Sequence, residues 1–262
     1  MPATPPGFLI LDDALEAARE GQLLTLDGDE GRHAAKVARI GVGEQVLLTD
    51  GPGRQVPAEV TAARKEALDL RLLADPSAAL QRLPRLALVQ ALATAGRDEQ
   101  AVESATELGA DRIVPWIAGR SVSVWRGDKL AKGRAKWAAT VRAAVKQCRR
   151  PGIPAVDEPL TSAQLLEDLR RRAADGAMVL ILHEQESTGL MSLAGTLRAA
   201  SEQGLEEIIV IVGPEGGISP EELEGLRELG ARPVLLGPEV LRTSTAGPAA
   251  IAVLSALLGR WG

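Results

Sequence analysis

From residue 86 to residue 260, short apolar segments alternate with longer segments that have the spacing of amphipathic helices. No other feature of the sequence constrains the fold as strongly, because the apolar segments have the length and β-branched content of buried strands. The predicted strands are residues 86–92, 112–116, 178–182, 207–212 and 234–236, and the predicted helices are residues 98–108, 129–149, 161–173, 191–203, 220–230 and 244–260. This alternation predicts an α/β domain with a mainly parallel sheet.

The first 75 residues have a different pattern. Short alternating segments are separated by turn residues, and such strands predict a small β-barrel. The predicted strands are residues 22–26, 44–49, 55–62 and 68–73, with a short helix over residues 32–38. We therefore expect a barrel domain over residues 1–75, a linker over residues 76–84 and an α/β domain over residues 85–262.

Composition excludes several kinds of protein. Cys148 is the only cysteine, so the chain can form neither an intramolecular disulfide nor a zinc site built from cysteines. The N-terminus lacks the basic and apolar regions of a signal peptide, and no apolar run reaches the ~18 residues of a membrane span. These features predict a cytoplasmic protein that binds neither a membrane nor a metal ion.

Basic residues are concentrated in one segment of an acidic chain with a formal net charge of -5. Residues 120–150 hold 10 Lys and Arg residues and one acidic residue, Asp128, whereas residues 151–262 hold 8 basic and 16 acidic residues. Such a segment is typical of a surface that binds phosphates. A solvated helix face would have the same composition, so both interpretations stay open here.

The strand at residues 207–212 leads into the loop Gly213-Pro214-Glu215-Gly216-Gly217 and then into a helix with a capping box. Parallel sheets bind ligands at the carboxyl ends of their strands, and glycines allow the backbone to approach a ligand closely. The loop has neither the dinucleotide fingerprint nor the Lys of a phosphate-binding P-loop. Its carboxylate suits the hydroxyls or amino group of a ligand such as an adenosine cofactor; the alternative is a plain strand-to-helix turn.

A second segment, residues 235–250, again joins a short strand to a helix, here one rich in alanine. Arg242 lies at the corner between apolar residues and hydroxyl-bearing residues. An arginine in this position can hold an anion or stabilise developing negative charge. The alternative is a surface salt bridge.

These two segments resemble the signature of the RsmE family of 16S ribosomal RNA uridine-N3 methyltransferases, in the SPOUT superfamily. Residues 213–217 match the family's GPEGG loop, and residues 241–246 match its LRT-x-TA motif. Residues 31–51, 105–115 and 144–154 are similar to further family motifs, so the resemblance covers nearly the whole chain. The sequence departs from the family at Ser244 and Glu103, where the family often has Glu and Gln, and at residues 118–120, which keep only the Arg of a Ser-Glu-Arg triplet.

The resemblance implies a PUA-like N-terminal β-barrel that binds RNA and a C-terminal α/β domain with a deep trefoil knot, a rare kind of fold. The knot loops would bind S-adenosyl-L-methionine, and the protein would act as a homodimer on 16S rRNA in the 30S ribosomal subunit. The implied cofactor-binding residues are Leu182, His183, Gly213, Pro214, Glu215, Gly216, Gly217, Leu236, Gly237, Leu241, Thr243, Thr245 and Ala246. The expected RNA-binding residues are Arg32, Arg39, Arg120, Arg149 and Arg150.

The reaction implied is transfer of a methyl group to N3 of a specific uridine. Arg242 is the expected catalytic residue, because it could stabilise negative charge on a uracil carbonyl oxygen when N3 loses its proton. No residue is identified as the proton acceptor, and His33 is expected in the core or a turn rather than in the active site. The alternatives are a SPOUT enzyme that methylates a ribose 2′-hydroxyl and a non-catalytic RNA-binding or ribosome-assembly factor.

Overall fold

The computed structural model describes residues 5–10, 13–78 and 82–261. The chain divides into two compact units: the first comprises residues 1–80 and 145–153, and the second comprises residues 81–144 and 154–262. Residues 79–81, which belong to the predicted linker, lie outside the described residues. No helix of the described residues is long and apolar enough to cross a membrane.

The first unit is built on a five-stranded sheet in the order β1-β3-β4-β5-β2. Its strands are β1 (Gly7–Ile10), β2 (Leu23–Leu26), β3 (Gln45–Asp50), β4 (Gln55–Ala63) and β5 (Leu68–Leu72). Strand β1 runs parallel to β3, and the other pairs are antiparallel. Burial alternates along β4, where Val56, Ala58 and Val60 are fully buried. One face of the sheet therefore covers an apolar core, as period-two patterning requires.

The helix predicted over residues 32–38 begins earlier and is irregular. Helix α1 spans Gly28–Arg32, and the π-helical turn His33–Val37 follows it. Gly31 packs so closely on the backbone carbonyls of Leu26 and Glu66 that a Cβ atom would not fit there. This close approach, rather than helical propensity, positions the segment, and the apolar period did not reveal it.

The second unit alternates strands and helices. Its strands are β6 (Arg85–Ala91), β7 (Arg112–Ile117), β8 (Ala155–Val156), β9 (Leu160–Thr161), β10 (Met178–Leu182), β11 (Glu207–Val212) and β12 (Arg232–Val234). Its helices are α2 (Arg97–Leu108), α3 (Asp128–Cys148), α4 (Ser162–Ala174), α5 (Ala194–Glu202), α6 (Pro220–Glu228) and α7 (Thr243–Leu257). A 3-10 turn, Leu190–Leu193, precedes α5. The last turn of α3, from Val145, groups with the first unit.

The strands of the second unit form one parallel sheet in the order β12-β10-β11-β6-β7-β8, and β9 also pairs with β7. The α/β class with a parallel sheet is therefore confirmed. Strand β6 lies in the middle, and the chain extends from it to β7 and β8 before β10, β11 and β12 fill the other side. Ligands bind at such a change of direction, outside the carboxyl ends of the strands.

Most predicted elements of this unit are present with ends displaced by one to three residues. The exception is β12, because the predicted strand 234–236 overlaps the observed one only at Val234. Pro233 lies inside β12, which is tolerated because β12 is an edge strand that pairs only with β10. Leu235 makes no more than an isolated bridge to Gly189. The chain therefore leaves the sheet earlier than its apolar residues indicated, and this lengthens the loop before α7.

Candidate functional site

A cavity of about 780 Å³ lies at the carboxyl ends of β10, β11 and β12. Its volume is within the range of small-molecule and cofactor sites in proteins. Of the fourteen residues predicted for the cofactor and for catalysis, thirteen line it: Leu182, His183, Gly213, Pro214, Glu215, Gly216, Gly217, Leu236, Gly237, Leu241, Arg242, Thr243 and Ala246. Thr245 does not line it and is exposed on the first turn of α7.

The glycine-rich loop after β11 has a conformation that depends on its glycines. A Cβ atom at Gly213 would lie 2.7 Å from Cγ1 of Ile218, and one at Gly216 would lie 3.0 Å from the carbonyl oxygen of Arg120. Gly217 has a φ of +74°, in the left-handed region that favours glycine. The loop then leads into α6, whose capping box between Ser219 and Glu222 is present as predicted. Side chains at Gly213 and Gly216 would therefore collide with Ile218 and Arg120 and displace the loop that lines the cavity.

A buried hydrogen-bond chain connects the two loops of the sequence signature. The Thr243 hydroxyl donates to the carbonyl oxygen of Gly213 at 3.0 Å and accepts from the Gln90 amide at 2.9 Å. Gln90 is fully buried at the carboxyl end of β6. Thr243 thus holds the start of α7 against the glycine-rich loop. The hydroxyl of this predicted cofactor-binding residue therefore positions two of the loops that line the cavity.

Glu215 has partners that the sequence did not reveal. Its Oε1 atom accepts hydrogen bonds from the backbone amide and the hydroxyl of Thr94, both at 3.0 Å, and from Nη1 of Arg97 at 3.1 Å. Burial raises the pKa of Glu215, but the hydrogen bonds from Thr94 and Arg97 outweigh it and hold that pKa below its ordinary value. Glu215 is therefore ionised at neutral pH, and one of its two oxygens is occupied by the chain itself.

Glu222 extends the same kind of support to the loop after β7. Its buried carboxylate accepts from the Gly119 amide at 2.7 Å, from the Ser162 hydroxyl and from the Ser219 amide at 3.0 Å. Arg120, the residue after Gly119, lines the cavity, and its Nη1 atom lies 3.5 Å from the carbonyl oxygen of Gly216. Glu222 thus serves both as a helix cap and as the anchor that holds the 119–120 segment beside the glycine-rich loop.

Arg242 lies immediately before α7 at the cavity wall, with an exposed guanidinium. Within residues 5–10, 13–78 and 82–261 it forms no ion pair. The interpretation as a surface salt bridge is therefore wrong for the described part of the chain. An uncompensated guanidinium at the wall of a cavity can bind an anion or an electron-rich carbonyl oxygen.

His183 lines the cavity at the end of β10, and its Nδ1 atom accepts a hydrogen bond from the Gln185 amide at 3.3 Å. In the neutral imidazole, an accepting Nδ1 leaves the proton on Nε2. His33, by contrast, belongs to the first unit, where its ring lies 6.1 Å from the ring of Phe8.

The expected RNA-binding arginines fall into two groups. Arg120 belongs to the second unit and lines the cavity, whereas the other four belong to the first unit. There Arg39 and Arg149 are exposed and have positive φ angles of 54° and 56°, and Arg32 pairs with Asp29 at 3.2 Å. Arg150 is half-buried.

Two tryptophans of the basic segment pack against each other rather than presenting two free faces. The rings of Trp125 and Trp137 meet edge to face with centroids 5.4 Å apart, and Trp137 is fully buried. Trp137 therefore packs in the interior and presents no face to solvent. Trp125 also covers Gly133, where a Cβ atom would overlap its indole ring.

Sequence reasoning gave no site role to Arg97 or Thr94. Arg97 follows β6 and lines the cavity, and Thr94 supports Glu215 from the same loop. These residues are about 120 positions away from Glu215 along the chain, so no local motif joins them. One available signal was the placement of the 92–97 loop at the carboxyl end of a predicted central strand, where ligand-binding residues collect.

The arrangement of the cavity fits an adenosine-type cofactor. Apolar side chains of Leu182, Leu236 and Leu241 line it together with backbone from the glycine-rich loop. Such a mixture of apolar walls and a few polar groups is usual for sites that hold a flat base and its sugar. Among the described residues, no group of three or more His, Cys, Asp or Glu side chains is placed to hold a metal ion.

Comparisons with known proteins agree with this picture. Residues 81–255 match the family model of an RNA methyltransferase domain, and residues 26–73 match that of the RNA methyltransferase PUA domain. The chain is 43% identical to ribosomal RNA small subunit methyltransferase E of Mycobacterium tuberculosis, over 92% of this chain and 89% of the relative. The protein of the same name from Bacillus subtilis is 27% identical, over 90% and 91% of the two chains.

Solved structures are similar over almost the whole chain. A ribosomal RNA small subunit methyltransferase E from Neisseria gonorrhoeae, bound to S-adenosyl methionine, has a TM-score of 0.80 and 27% identity, covering 97% of this chain and 98% of that one. A Legionella pneumophila protein described as a methyltransferase, in complex with bound SAM, has a TM-score of 0.80 and 29% identity, with the same coverage.

Proposed function

This chain belongs to the ribosomal RNA small subunit methyltransferase E family, and from that premise we propose that it transfers a methyl group from S-adenosyl-L-methionine to N3 of one uridine in 16S rRNA. The observation that carries the proposal is the cavity itself. Thirteen of the fourteen residues expected from the family signature line one space, although they come from three separate loops. A chain that had lost its cofactor would have no reason to keep these loops together.

The cofactor supplies an electrophilic methyl group on a sulfonium, so the protein must bind, orient and stabilise charge. The loops at residues 182–184, 213–217 and 236–246 would hold it, and they offer apolar side chains and a glycine-rich backbone to the adenosine part. Orientation matters because transfer requires the acceptor nitrogen in line with the methyl group.

Arg242 is the catalytic residue of the proposal. Uridine N3 is an imide nitrogen that must lose its proton before or during attack, and the charge that develops spreads onto the neighbouring carbonyl oxygens. The guanidinium of Arg242, which has no ion-pair partner in the described part of the chain, stabilises that charge by a charge-assisted hydrogen bond. One carboxylate oxygen of Glu215 accepts from Thr94 and Arg97, and Nδ1 of His183 accepts from the Gln185 amide, so the proposal assigns the N3 proton to neither side chain.

Several finer features complete the proposal. The second unit forms a deep trefoil knot around the cofactor, and two copies associate as a homodimer with the active site at their interface. The substrate is the assembled 30S subunit in the cytoplasm, and the first unit contributes Arg32, Arg39, Arg149 and Arg150 to RNA binding. The division into a barrel over residues 1–75 and a methyltransferase domain over residues 85–262 belongs to the same proposal. Support for these features comes from the family signature and from the basic charge of residues 120–150.

The test is methyl transfer from labelled S-adenosyl-L-methionine to unmethylated small ribosomal subunits, followed by digestion and mass analysis of the nucleosides. We expect labelled 3-methyluridine with the wild-type protein. Arg242→Ala should lower the rate about 100-fold or more, because removal of a donor that stabilises an oxyanion costs that much in other enzymes. Its affinity for the cofactor should change far less than its rate.

Other outcomes separate the alternatives. Label on a ribose 2′-oxygen would assign the chain to sugar methylation and contradict transfer to N3. If the protein binds the cofactor but transfers no methyl group to subunits or to naked 16S rRNA, the proposed substrate is wrong. A full rate in Arg242→Ala would remove Arg242 from the mechanism while leaving the reaction in place.

A further inference from the structure

Charged residues are distributed unevenly along the rim of the cavity. The loops that line it follow the strands in the order β12, β10, β11, β6 and β7 across the sheet. Glu239 and Glu184 follow β12 and β10, whereas Arg97 and Arg120 follow β6 and β7. Glu184 and Glu239 thus follow strands on one side of β11, and Arg97 and Arg120 follow strands on its other side; the catalytic candidate Arg242 shares the loop after β12 with Glu239.

The two arginines contact consecutive residues of the glycine-rich loop. Arg97 pairs with the carboxylate of Glu215 at 3.1 Å, and Arg120 approaches the carbonyl oxygen of Gly216 at 3.5 Å. Both guanidiniums line the same cavity. They therefore flank the loop that the proposed function places beside the cofactor, on the side opposite the two glutamates.

Arg97 is held in place, and among the described residues the remaining N–H donors of its guanidinium have no hydrogen-bond partner. Its side chain is 36% exposed, and the contact with Glu215 uses one nitrogen of a group that has five N–H donors. Glu215 is itself fixed by two hydrogen bonds from Thr94 to the oxygen that meets Arg97. The carboxylate of Glu215, fixed by Thr94, orients the guanidinium of Arg97, which is still partly exposed to solvent. Such a guanidinium is suited to bidentate contact with a phosphate.

We propose that Arg97 and Arg120 bind backbone phosphates of the RNA strand that carries the target nucleotide, and that Glu215 is a positioning residue for Arg97 rather than a ligand of the cofactor. The strand would then enter the cavity from the β6 and β7 side, where both arginines lie. This inference rests on the proposed function, because the arginines are useful only if an RNA strand enters this cavity.

Equilibrium binding of unmethylated small ribosomal subunits at several salt concentrations tests the assignment without requiring catalysis. Arg97→Ala and Arg120→Ala should each weaken binding about tenfold, the effect of losing one charge-assisted hydrogen bond. Each should also make the slope of log affinity against log salt less negative by about 0.7–0.9, since one phosphate contact fewer releases fewer counterions. Arg97→Lys should regain much of the affinity, because lysine still binds phosphate as a point charge.

The matched control is Arg170→Ala. Arg170 is an exposed arginine of the same unit that pairs with Glu167 on α4 and does not line the cavity. This variant should leave both the affinity and the salt slope unchanged. Thermal unfolding of all the variants confirms that they are folded, which is expected because these side chains are partly or fully exposed.

Glu215→Gln separates positioning from cofactor binding. The glutamine side chain can still accept hydrogen bonds from Thr94, but it no longer forms an ion pair with Arg97. RNA binding should therefore weaken, and the KM for subunits should rise. The dissociation constant of S-adenosyl-L-methionine, measured by calorimetry, should stay within about twofold of wild type. A loss of about tenfold or more in cofactor affinity, with RNA binding intact, would overturn the positioning role.

The two proposals fail in different ways. If the wild-type protein transfers no methyl group to RNA, the proposed function fails, whatever the arginine variants do. If transfer occurs but Arg97→Ala and Arg120→Ala keep the wild-type affinity and salt slope for subunits, only the present inference is overturned. In kinetic assays, a raised KM with an unchanged kcat supports phosphate binding, whereas a fall in kcat alone contradicts it.

Discussion

At the scale of single residues, the site depends on carboxylates that accept hydrogen bonds from distant parts of the chain. Glu215 and Glu222 lie seven positions apart, and each accepts donors from distant segments. Glu215 fixes the loop after β6, and Glu222 fixes the loop after β7. Carboxylates with several donors are strong local constraints, because removing the acceptor leaves those donors without partners. The glycine-rich loop is therefore held from two sides by ionised groups.

Glu222 should make stability depend on pH in a predictable direction. Burial raises its pKa, but hydrogen bonds from Ser162, the Gly119 amide and Ser219 outweigh it and hold the pKa below its ordinary value of 4.5. A lowered pKa in the folded state means that Glu222 stabilises the fold above pH 4.5 and that this contribution disappears as the pH falls through the folded pKa. Glu222→Gln should therefore lower the free energy of unfolding by roughly 1–3 kcal/mol at pH 7.

Urea unfolding at a series of pH values checks this prediction. The difference between wild type and Glu222→Gln should be largest near neutral pH and should shrink below pH 4.5. Glu224→Gln, an exposed site on the same helix, is the control and should give a small difference at every pH. A difference for Glu222→Gln that stayed constant down to acid pH would contradict the role of its charge.

Site residues that belong to a local sequence motif could be predicted, but the distant residues that contact them could not. The glycine-rich loop and Arg242 stand out because their neighbours in sequence are also their neighbours in the cavity. Arg97 and Thr94 reach Glu215 only through the parallel pairing of β6 with β11, which joins segments about 120 residues apart. A single sequence contains the residues of such a contact but not the register that brings them together.

At the scale of elements, two helices of the second unit begin with a capping box. Helix α4 is capped by Thr161 and Gln164, and helix α6 is capped by Ser219 and Glu222. Only α6 follows the glycine-rich loop directly. The two caps therefore allow the stability of a helix start to be separated from its effect on the cavity.

Removing either cap should cost similar stability but different function. Thr161→Ala and Ser219→Ala should each lower the free energy of unfolding by about 1 kcal/mol. Only Ser219→Ala should weaken binding of S-adenosyl-L-methionine, because its cap sets where the loop at residues 213–217 ends. Chemical unfolding and calorimetric titration of both variants measure the two effects. Equal loss of cofactor affinity in both variants would mean that the cap acts through global stability alone.

The elements themselves were largely predictable because their caps and apolar periods are local. The observed β10 and β11 have the predicted bounds, and the cap of α6 is the one expected from sequence. The failures occur where tertiary contacts override local preference. The α1 segment is set by the close packing of Gly31, and β12 ends early because it is a short edge strand that contains Pro233.

At the scale of the whole molecule, the acidic chain carries its basic charge in one stretch. The fold divides this stretch, because residues 120–144 belong to the second unit and residues 145–150 to the first. Both units thus present arginines, as expected if each takes part in RNA binding. The net charge of -5 is therefore a poor guide to function, since binding depends on where charges lie rather than on their sum.

The central claim is that the cavity at the carboxyl ends of the parallel strands binds S-adenosyl-L-methionine, and calorimetric titration of the cofactor into the wild-type protein tests it most directly. We predict saturable binding, weakened about tenfold or more by Gly216→Ala, whose added Cβ would press on the Arg120 backbone at 3.0 Å. Gly195→Ala, at a helical position with no neighbour within 4 Å, should bind as wild type does. Absence of binding at high micromolar cofactor, or binding that Gly216→Ala leaves unchanged, would contradict the account.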